Sequence, residues 1–255
     1  MTEQMKEASK TEQLAEILRN SKKLVAFTGA GISCPSGIPD FRSADGLYNQ
    51  KSGTRYAPEQ IISHSFFEKH AKEFYAFYHD KMLYPDAKPN AAHRFLSELE
   101  TPERAVTVVT QNIDGLHTAA GSSHVCELHG SVLRNHCTQC ERFFPLGAYL
   151  DARDADGIPR CPSCGQIIKP DVVLYEESLD EDVINDAVFS ISEADTLVII
   201  GTSLVVYPAA SFIRYFRGEH LILINKSETN CDSLAELVFH EDVVSVVEAL
   251  KKYQF

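Results

Sequence analysis

Residues 23–42 read KLVAFTGAGISCPSGIPDFR, and this stretch decides the fold of the chain. Residues 24–27 form a short apolar run that stops at a glycine turn, Gly29-Ala30-Gly31. An apolar run of this length bounded by turn residues is typical of a buried parallel strand. Glycine lets the backbone turn sharply and approach a ligand closely, so the N–H groups of the turn can hold a phosphate. We therefore expect a strand followed by a cofactor-binding loop.

The residues that follow the glycines indicate which kind of loop the turn begins. A bare Gly-x-Gly is equally typical of a strand followed by an ordinary flexible turn. The usual dinucleotide fingerprint, Gly-x-Gly-x-x-Gly with an acidic residue about 20 positions later, does not stand here. Residues 33–41 are instead too irregular for an immediate helix. Such a loop could fold over a ligand, with Phe41 as an apolar wall and Arg42 as a partner for a pyrophosphate.

The composition of the 255-residue chain, 44% hydrophobic and 24% charged, is that of an ordinary globular protein. This length accommodates a main domain with a small satellite. Residues 1–19 are charged and polar, so we expect no signal peptide. Gly201 and Pro208 interrupt the most apolar region, residues 197–212, so no membrane span is expected either. We expect a cytoplasmic protein.

The formal net charge of −12 comes from 36 acidic and 24 basic residues. A protein that held nucleic acid through its phosphates would need a basic face, so we expect no nucleic-acid partner. An acidic surface would suit lysine-rich protein substrates, although simple solubility explains the same charge.

Apolar periodicity along the rest of the chain alternates between strand and helix patterns. The expected strands are residues 105–110, 125–128, 196–200 and 221–224, and the expected helices are residues 11–20, 58–84, 89–99, 181–193, 208–217 and 242–252. This alternation predicts an α/β fold whose parallel sheet is wound on both faces by helices. The aromatic residues of 58–84 could cap a pocket, but aromatic stripes are also typical of a core.

Small polar residues follow the expected strands at their carboxyl ends. These residues are Gln111, Asn112, Asp114, His129, Thr202, Ser203 and Asn225. The carboxyl ends of parallel strands meet at one edge of a sheet, where a doubly wound fold binds its ligand. Serine and asparagine are also ordinary turn formers. An isolated histidine is usually structural, but His129 beside these groups has the neutral-range titration that a general base needs.

The cysteine spacing predicts a metal site. Seven cysteines without a secretory signal are unlike a disulfide framework, and four of them form the pairs Cys137-x-x-Cys140 and Cys161-x-x-Cys164. Two such pairs close a tetrahedral zinc site. Four thiolates leave no position open for water, so the zinc would be structural. A redox pair and a nucleic-acid zinc ribbon are the alternatives.

Residues 29–42, GAGISCPSGIPDFR, closely resemble the signature loop of the sirtuins, the NAD-dependent protein deacylases. Residues 110–117, TQNIDGLH, and 127–130, ELHG, are also similar to sirtuin motifs and stand in the same order. The four-cysteine module lies at the same point in that family. Over roughly residues 20–250 the chain therefore resembles a bacterial-type NAD-dependent protein deacetylase.

The resemblance implies a Rossmann-like doubly wound sheet with a small zinc-binding domain and a helical insertion. The large NAD-binding domain would comprise residues 1–42, 86–131 and 170–255. The small domain would combine the helical insertion, residues 43–85, with the zinc module, residues 132–169. NAD as cosubstrate and an acylated-lysine protein would meet between the domains of a monomer.

The resemblance also implies site residues. His129 would be the base toward the ribose hydroxyls, Asn112 would orient the ribose and an ordered water, and Asp114 would orient the nicotinamide amide. The implied cofactor-binding residues are Ala30, Cys34, Phe41, Arg42, Gln111, Ile113, Asp114, His129, Thr202, Ser203, Asn225 and Val243. The implied substrate-binding residues are Val172, Val173, Leu174 and Tyr175, through main-chain pairing with an extended peptide.

The chemistry that the resemblance implies transfers the acyl group of a modified lysine to ADP-ribose and releases nicotinamide and O-acyl-ADP-ribose. A protein mono-ADP-ribosyltransferase using the same site and an NAD sensor without turnover are the alternatives. A hydride-transferring dehydrogenase is disfavoured because the fingerprint glycine loop is missing.

The chain departs from the family pattern at two places. Tyr175-Glu176-Glu177 stands where many members have Phe-Gly-Glu, which puts the peptide loop in question. Relatives that remove acidic acyl groups carry a tyrosine and an arginine three residues apart, whereas this chain has Tyr75 and Tyr78. A carboxylate buried without that cation would be costly, so we expect acetyl or another neutral acyl group to be preferred.

Overall fold

The computed structural model describes residues 3–41, 43, 46–49 and 55–255. The strands are β1 (Lys23–Thr28), β2 (Ala105–Thr110), β3 (His124–Glu127), β4 (Gly130–Cys137), β5 (Phe143–Pro145), β6 (Ile168–Val172), β7 (Thr196–Ile200), β8 (His220–Ile224) and β9 (Leu237–Phe239). The helices are α1 (Glu3–Asn20), α2 (Pro58–Ile61), α3 (His64–Lys69), α4 (Ala71–Lys81), α5 (Ala91–Glu98), α6 (Leu116–Ala120), α7 (Leu146–Asp151), α8 (Glu181–Glu193) and α9 (Val243–Leu250). No helix in the described residues is long and apolar enough to cross a bilayer.

The large sheet is parallel, and its order over the described residues is β3-β2-β1-β7-β8-β9. Strand β1 pairs with β2 on one side and with β7 on the other. The chain thus runs from β1 to one edge and returns to the opposite side of β1. This is the strand order of a doubly wound fold, whose ligand crevice lies where the order reverses. The predicted fold class is confirmed.

Residues 24–27 of strand β1 are all apolar because both faces of the strand are covered there. Leu24 and Ala26 pack in one hydrophobic cluster with residues of α1, α5 and α9. Val25 and Phe27 point to the other face and pack with residues of α8. Successive side chains of a strand alternate between its faces, so a stretch that is buried on both faces forms a continuous apolar run. This is why the apolar run at residues 24–27 predicts a buried strand from sequence alone.

A second, antiparallel sheet has the order β5-β4-β6. Cys137 ends β4, Cys140 follows it before β5, and Cys161 and Cys164 lie between α7 and β6. The aromatic helices pack against this sheet: Phe74 and Tyr75 of α4 share a hydrophobic cluster with Tyr149, Cys161 and Ile168. The aromatic residues of segment 58–84 therefore belong to the hydrophobic core, which was one of the two interpretations that the sequence allowed. The domain boundaries at 42, 86, 131 and 170 stay a prediction.

Several elements differ from the sequence-based expectation. The segment 58–84 forms three helices rather than one, because Ser63 caps α3 with its hydroxyl and His70 leaves helical geometry at φ −136°. Residues 209–215 form a 3-10 helix instead of an α-helix. Strands β4, β5, β6 and β9 had not been predicted from sequence.

Arg104 fastens the amino-terminal end of the large sheet. Its side chain is 6% exposed and donates to three carbonyls, those of Arg19, Ser21 and Leu99. These carbonyls lie at the ends of α1 and α5, where the last turn of a helix leaves acceptors without intrahelical partners. One guanidinium thus holds two helix ends beside the start of β2.

Candidate active site

The glycine turn after β1 lies directly against the turn after β7. Gly29 donates its N–H to the carbonyl of Ile200 at 3.0 Å, and Gly31 donates to that of Gly201 at 2.8 Å. A Cβ on Gly31 would stand 2.7 Å from Cα of Gly201. Only a residue without a side chain permits this approach, which brings two strand ends together.

A cavity of about 1130 Å³ opens at this edge of the sheet and extends toward the small domain. It is lined by nearly all the residues that the sequence had indicated: Ala30, Cys34, Phe41, Gln111, Asn112, Ile113, Asp114, His129, Val172, Val173, Leu174, Tyr175, Thr202, Ser203, Asn225 and Val243. Arg42 lies outside the described residues. The cavity is large enough for a dinucleotide together with a side chain of a substrate.

Ser33 joins two of the predicted catalytic residues. Its hydroxyl donates to Oδ2 of Asp114 at 2.6 Å and accepts from Nδ2 of Asn112 at 3.1 Å. Asn112 also donates to the carbonyl of Gly29 at 3.1 Å. These bonds fix both side chains against the glycine turn. Sequence reasoning had not assigned Ser33 a role, and its only signal was a hydroxyl two residues after the second glycine.

Asp114 is half-buried and lies in the turn that follows β2. Burial raises the pKa of its carboxyl group, and hydrogen bonds from Ser33 and from the N–H of Leu116 oppose that shift. The same N–H bond places Asp114 at the start of α6. Its carboxylate therefore has fixed orientation in the cavity wall.

His129 has a defined tautomer. Its Nδ1 lies 2.8 Å from the carbonyl oxygen of Gln111. A carbonyl oxygen only accepts, so Nδ1 carries the proton and Nε2 keeps its lone pair. Burial lowers the pKa of His129, and the bond to Gln111 partly offsets this. Near neutral pH the ring is therefore an uncharged base.

Gln111 links the strand ends on both sides of β1. While its carbonyl holds His129, its side-chain Nε2 donates to Oγ1 of Thr202 at 3.1 Å. Thr202 follows β7, and Gln111 follows β2. One residue thereby couples the orientation of the histidine to the turn that supports the glycines.

The segment 172–175 connects the two domains across the cavity. The N–H of Val173 donates to the carbonyl of His129 at 3.0 Å, and that of Tyr175 donates to the carbonyl of Ile62 at 3.1 Å. The carbonyl of Tyr175 accepts from His64 at 3.0 Å. The predicted peptide-binding segment is therefore extended and runs from the candidate base to the helical insertion.

The departure at Tyr175-Glu176-Glu177 has a structural function. Glu176 adopts a left-handed backbone with φ of +76°, a conformation that glycine takes more readily. Its carboxylate accepts from the N–H of Ser65 at 2.8 Å and from the Ser65 hydroxyl at 3.1 Å. These bonds cap the first turn of α3, so the side chain compensates for the backbone conformation.

Glu177 holds the same loop from the other side. Its carboxylate accepts from Nζ of Lys169 at 3.1 Å and from the N–H of Leu174 at 2.9 Å. It also lies 2.8 Å from Nδ1 of His64, and this hydrogen bond raises the pKa of His64. The glutamate thus ties the peptide segment to both parts of the small domain.

The four paired cysteines form a metal site. The Sγ atoms of Cys137 and Cys164 are 3.3 Å apart, and Cys140 lies 3.7 Å from both Cys161 and Cys164. Tetrahedral zinc with Zn–S of about 2.3 Å sets S···S separations of about 3.8 Å, so the cluster fits one zinc ion. All four positions are filled by sulfur, which makes the site structural.

A family model described as the Sir2 family matches residues 29–208, more than half of the chain. The chain belongs to the Sir2 family.

This Sir2 protein is 54% identical to a Clostridium perfringens (strain 13 / Type A) protein named NAD-dependent protein deacetylase, over 93% of this chain and 97% of that protein. A solved structure of Sir2 with a peptide and NAD+ superposes with a TM-score of 0.81 at 35% identity and covers 95% of this chain and 97% of its own. A Sir2 structure with a propionylated peptide gives 0.83 at the same identity and coverage. The predicted family is confirmed, and NAD is the cosubstrate of that family.

Tyr75 and Tyr78 of the Sir2 protein do not face the cavity. Both are fully buried, and neither belongs to the described residues that line the cavity. The Tyr75 hydroxyl donates to the carbonyl of Ile168 at 2.8 Å. The lysines among the described lining residues, Lys81 and Lys226, each pair with a carboxylate, at 3.1 and 2.9 Å. The predicted preference for a neutral acyl group therefore does not rest on contact between Tyr78 and the cavity.

Proposed function

We propose that this Sir2 protein is an NAD-dependent protein lysine deacylase that removes acetyl or other neutral acyl groups. The single observation that carries the proposal is the bond from Nδ1 of His129 to the carbonyl of Gln111, 2.8 Å long. It leaves a basic Nε2 in the same cavity as the glycine turn and the peptide segment. The candidate base, the proposed dinucleotide site and the predicted peptide-binding segment therefore line the same cavity.

NAD would be held by the glycine turn and by the residues after β7 and β8, and when bound it supplies a leaving nicotinamide and an ADP-ribose that accepts the acyl group. The N–H groups of Gly29 and Gly31 donate to carbonyls within the protein, so the glycine turn would contribute close approach of its backbone and the polar side chains at these strand ends would meet the phosphates and riboses. Thr202, Ser203 and Asn225 are the polar side chains assigned to this task, and Val243 lies at the start of α9 beside them.

His129 acts as the general base through Nε2. Because burial lowers its pKa, the ring is unprotonated at neutral pH and ready to take a proton from a ribose hydroxyl. Asn112 and Asp114, which line the same cavity as His129, are held in place because Ser33 bonds to both. This preorganisation removes the need for these side chains to reorient during the reaction.

The acyl-lysine peptide would lie along residues 172–175, which are extended between His129 and Ile62. The N–H groups of Val173, Leu174 and Tyr175 donate within the protein, so a peptide that pairs with this segment would have to displace one of these bonds or donate to a carbonyl oxygen. A neutral acyl group suits the site because each described lysine of the lining already has its carboxylate partner. The carboxylate of an acidic acyl group would have to compete with the protein's own carboxylate for the same lysine.

We also propose that the protein works in the cytoplasm as a monomer and without nucleic acid. The net charge of −12 supports the last point, since it repels phosphates. Cysteine thiols that gather into a metal cluster support a reducing compartment.

Mass spectrometry of an acetyl-lysine peptide tests the function. The purified protein is incubated with the peptide, with and without NAD, beside His129→Ala and a control, His220→Ala, whose histidine lies in an exposed ion pair with Glu236. Loss of acetyl and appearance of acetyl-ADP-ribose should require NAD and His129 but not His220. Transfer of label from NAD onto protein, with the peptide untouched, would favour a mono-ADP-ribosyltransferase instead.

A further inference from the structure

Three potential metal ligands meet at the outer edge of the large sheet, on elements that carry none of the four paired cysteines. They are His124 and Cys126 of the edge strand β3 and Asp186 of α8, and their ligand atoms all lie within 4.8 Å of one another. Nε2 of His124 is 2.8 Å from Oδ2 of Asp186, and Sγ of Cys126 is 3.3 Å from the same oxygen. The sulfur and Nε2 are 4.0 Å apart.

These separations are close to those that zinc imposes. Tetrahedral zinc with bonds of about 2.3 Å to sulfur and about 2.0 Å to nitrogen and oxygen sets S···O and S···N separations of about 3.5 Å and an N···O separation of about 3.3 Å. The distances of 3.3, 4.0 and 2.8 Å each differ from these values by half an ångström or less. Small rotations of exposed side chains are enough to close the difference.

The histidine already has the partner that a metal-binding imidazole requires. Its Nδ1 lies 3.2 Å from Oγ1 of Thr107 on the neighbouring strand β2. A ligating histidine usually gives its second N–H to an oxygen, which fixes the ring and directs the other nitrogen to the metal. Thr107 stands directly opposite His124 in the strand pairing, so this contact is set by the sheet.

The ligands lie on rigid elements and remain open to solvent on one side. Cys126 is 3% exposed beneath His124 and Asp186, whose side chains are 46% and 45% exposed. The helix that carries Asp186 is anchored to the sheet by Ala187 and Ile191, both fully buried. An ion can therefore enter from solvent, and three protein ligands leave a fourth position for water.

We propose that His124, Cys126 and Asp186 form a second zinc site, which joins the edge strand β3 to α8. A thiolate, an imidazole and a carboxylate are the ligands that select zinc and cobalt over magnesium or calcium. The site is independent of the proposed catalytic function. Unlike the four-cysteine site, it exchanges its ion readily because it is open on one side.

Zinc stoichiometry tests the site. The full-length protein is dialysed to equilibrium against micromolar Zn²⁺, and elemental mass spectrometry measures the zinc bound in excess of that in the dialysate. We expect two zinc ions per chain, and one in His124→Ala, Asp186→Ala and Cys126→Ser. The matched control is Cys231→Ser, which removes a half-buried cysteine outside both clusters and should retain two.

His124→Ala and Asp186→Ala change exposed side chains, so they keep the test decisive if Cys126→Ser fails to fold. Co²⁺ added to protein whose four-cysteine site already holds zinc gives a second readout, because the single thiolate of Cys126 adds a charge-transfer band that should be missing in Cys126→Ser. One zinc per unaltered chain, or two in both exposed variants, would overturn the proposal and leave the cluster as a surface ion pair above a buried thiol.

Discussion

At the scale of single residues, the structure adds to His129 what the sequence could not give, the position of its proton. The sequence placed a histidine at a strand end, but its tautomer depends on a carbonyl 18 residues away, that of Gln111. The role of Ser33 was hidden for the same reason, since its partners Asn112 and Asp114 come from another strand. Contacts between distant segments leave no pattern in the sequence around one residue.

The lowered pKa of His129 predicts the pH dependence of activity. The base works when uncharged, and burial moves its protonation below the ordinary value of about 6.5. Activity should therefore persist through pH 6.5 and fall only as the pH drops through the lowered pKa. The measurement is kcat/KM for an acetyl-lysine peptide against pH at saturating NAD.

Asp114 also titrates in the cavity, so the profile is repeated with Asp114→Asn. The acid limb should remain in that variant, although the overall rate is lower. A limb centred above pH 6.5 in the unaltered protein would contradict the assignment of His129 as a buried neutral base.

Glu176 offers a test of how the departure from the family pattern is stabilised. Glu176→Ala and Glu176→Gly both remove the carboxylate that caps α3 at Ser65, but only glycine relieves the backbone at φ +76°. The glycine variant should therefore be the more stable of the two by about 1 kcal/mol. Urea unfolding of the two variants measures this difference, and equal stabilities would show that the left-handed conformation is unstrained.

At the scale of elements, the glycine turn after β1 depends on its approach to Gly201. In Gly31→Ala the added methyl group would stand 2.7 Å from Cα of Gly201, so the two turns must separate. We expect NAD affinity to fall by about tenfold or more, which corresponds to at least about 1.4 kcal/mol. Calorimetric titration with NAD measures it.

Gly147→Ala is the matched control for that variant. A Cβ at Gly147 meets nothing within 4 Å, and alanine favours the helix α7 in which the residue lies. NAD affinity should be unchanged there. Equal affinity in Gly31→Ala would mean that the turn tolerates separation.

The elements differ in how far the sequence revealed them. Strands β1, β2 and β7 were predicted because helices cover both of their faces and leave continuous apolar runs. Strands β4, β5 and β6 were missed because they are short or half exposed and are held by distant cysteines. The division of 58–84 was missed because aromatic periodicity continues through the break at His70.

At the scale of the whole molecule, the zinc ion of the four-cysteine site should stabilise the fold of the small domain but not that of the large sheet. Cys137 and Cys161 are buried in the cluster that joins the zinc module to the aromatic helices, whereas the large sheet packs in other clusters. Cys137→Ser should lose one zinc, disorder the small domain and abolish activity, because Val132 and Leu146 line the cavity. Two-dimensional NMR measures this loss residue by residue.

The large sheet serves as the internal reference in that experiment, since its resonances should keep their positions. His124→Ala provides a second comparison, because it removes a proposed zinc ligand without touching the small domain. Loss of the whole spectrum in Cys137→Ser would show that the two domains fold as one unit.

The contacts of Arg104 have a consequence for how the protein opens. At the amino-terminal end of the strands, Arg104 donates to carbonyls at the ends of α1 and α5. Beside it, Asp195 accepts from the N–H groups of Lys22 and Lys23. At the other end, the turns after β1, β2 and β7 bond to one another, but a cavity of about 1130 Å³ lies between them and the small domain. Local opening requires less free energy where fewer buried contacts must break. We therefore expect the protein to open locally at the ligand edge more readily than at the end held by Arg104. Ligand can then enter and leave without unfolding of the large sheet.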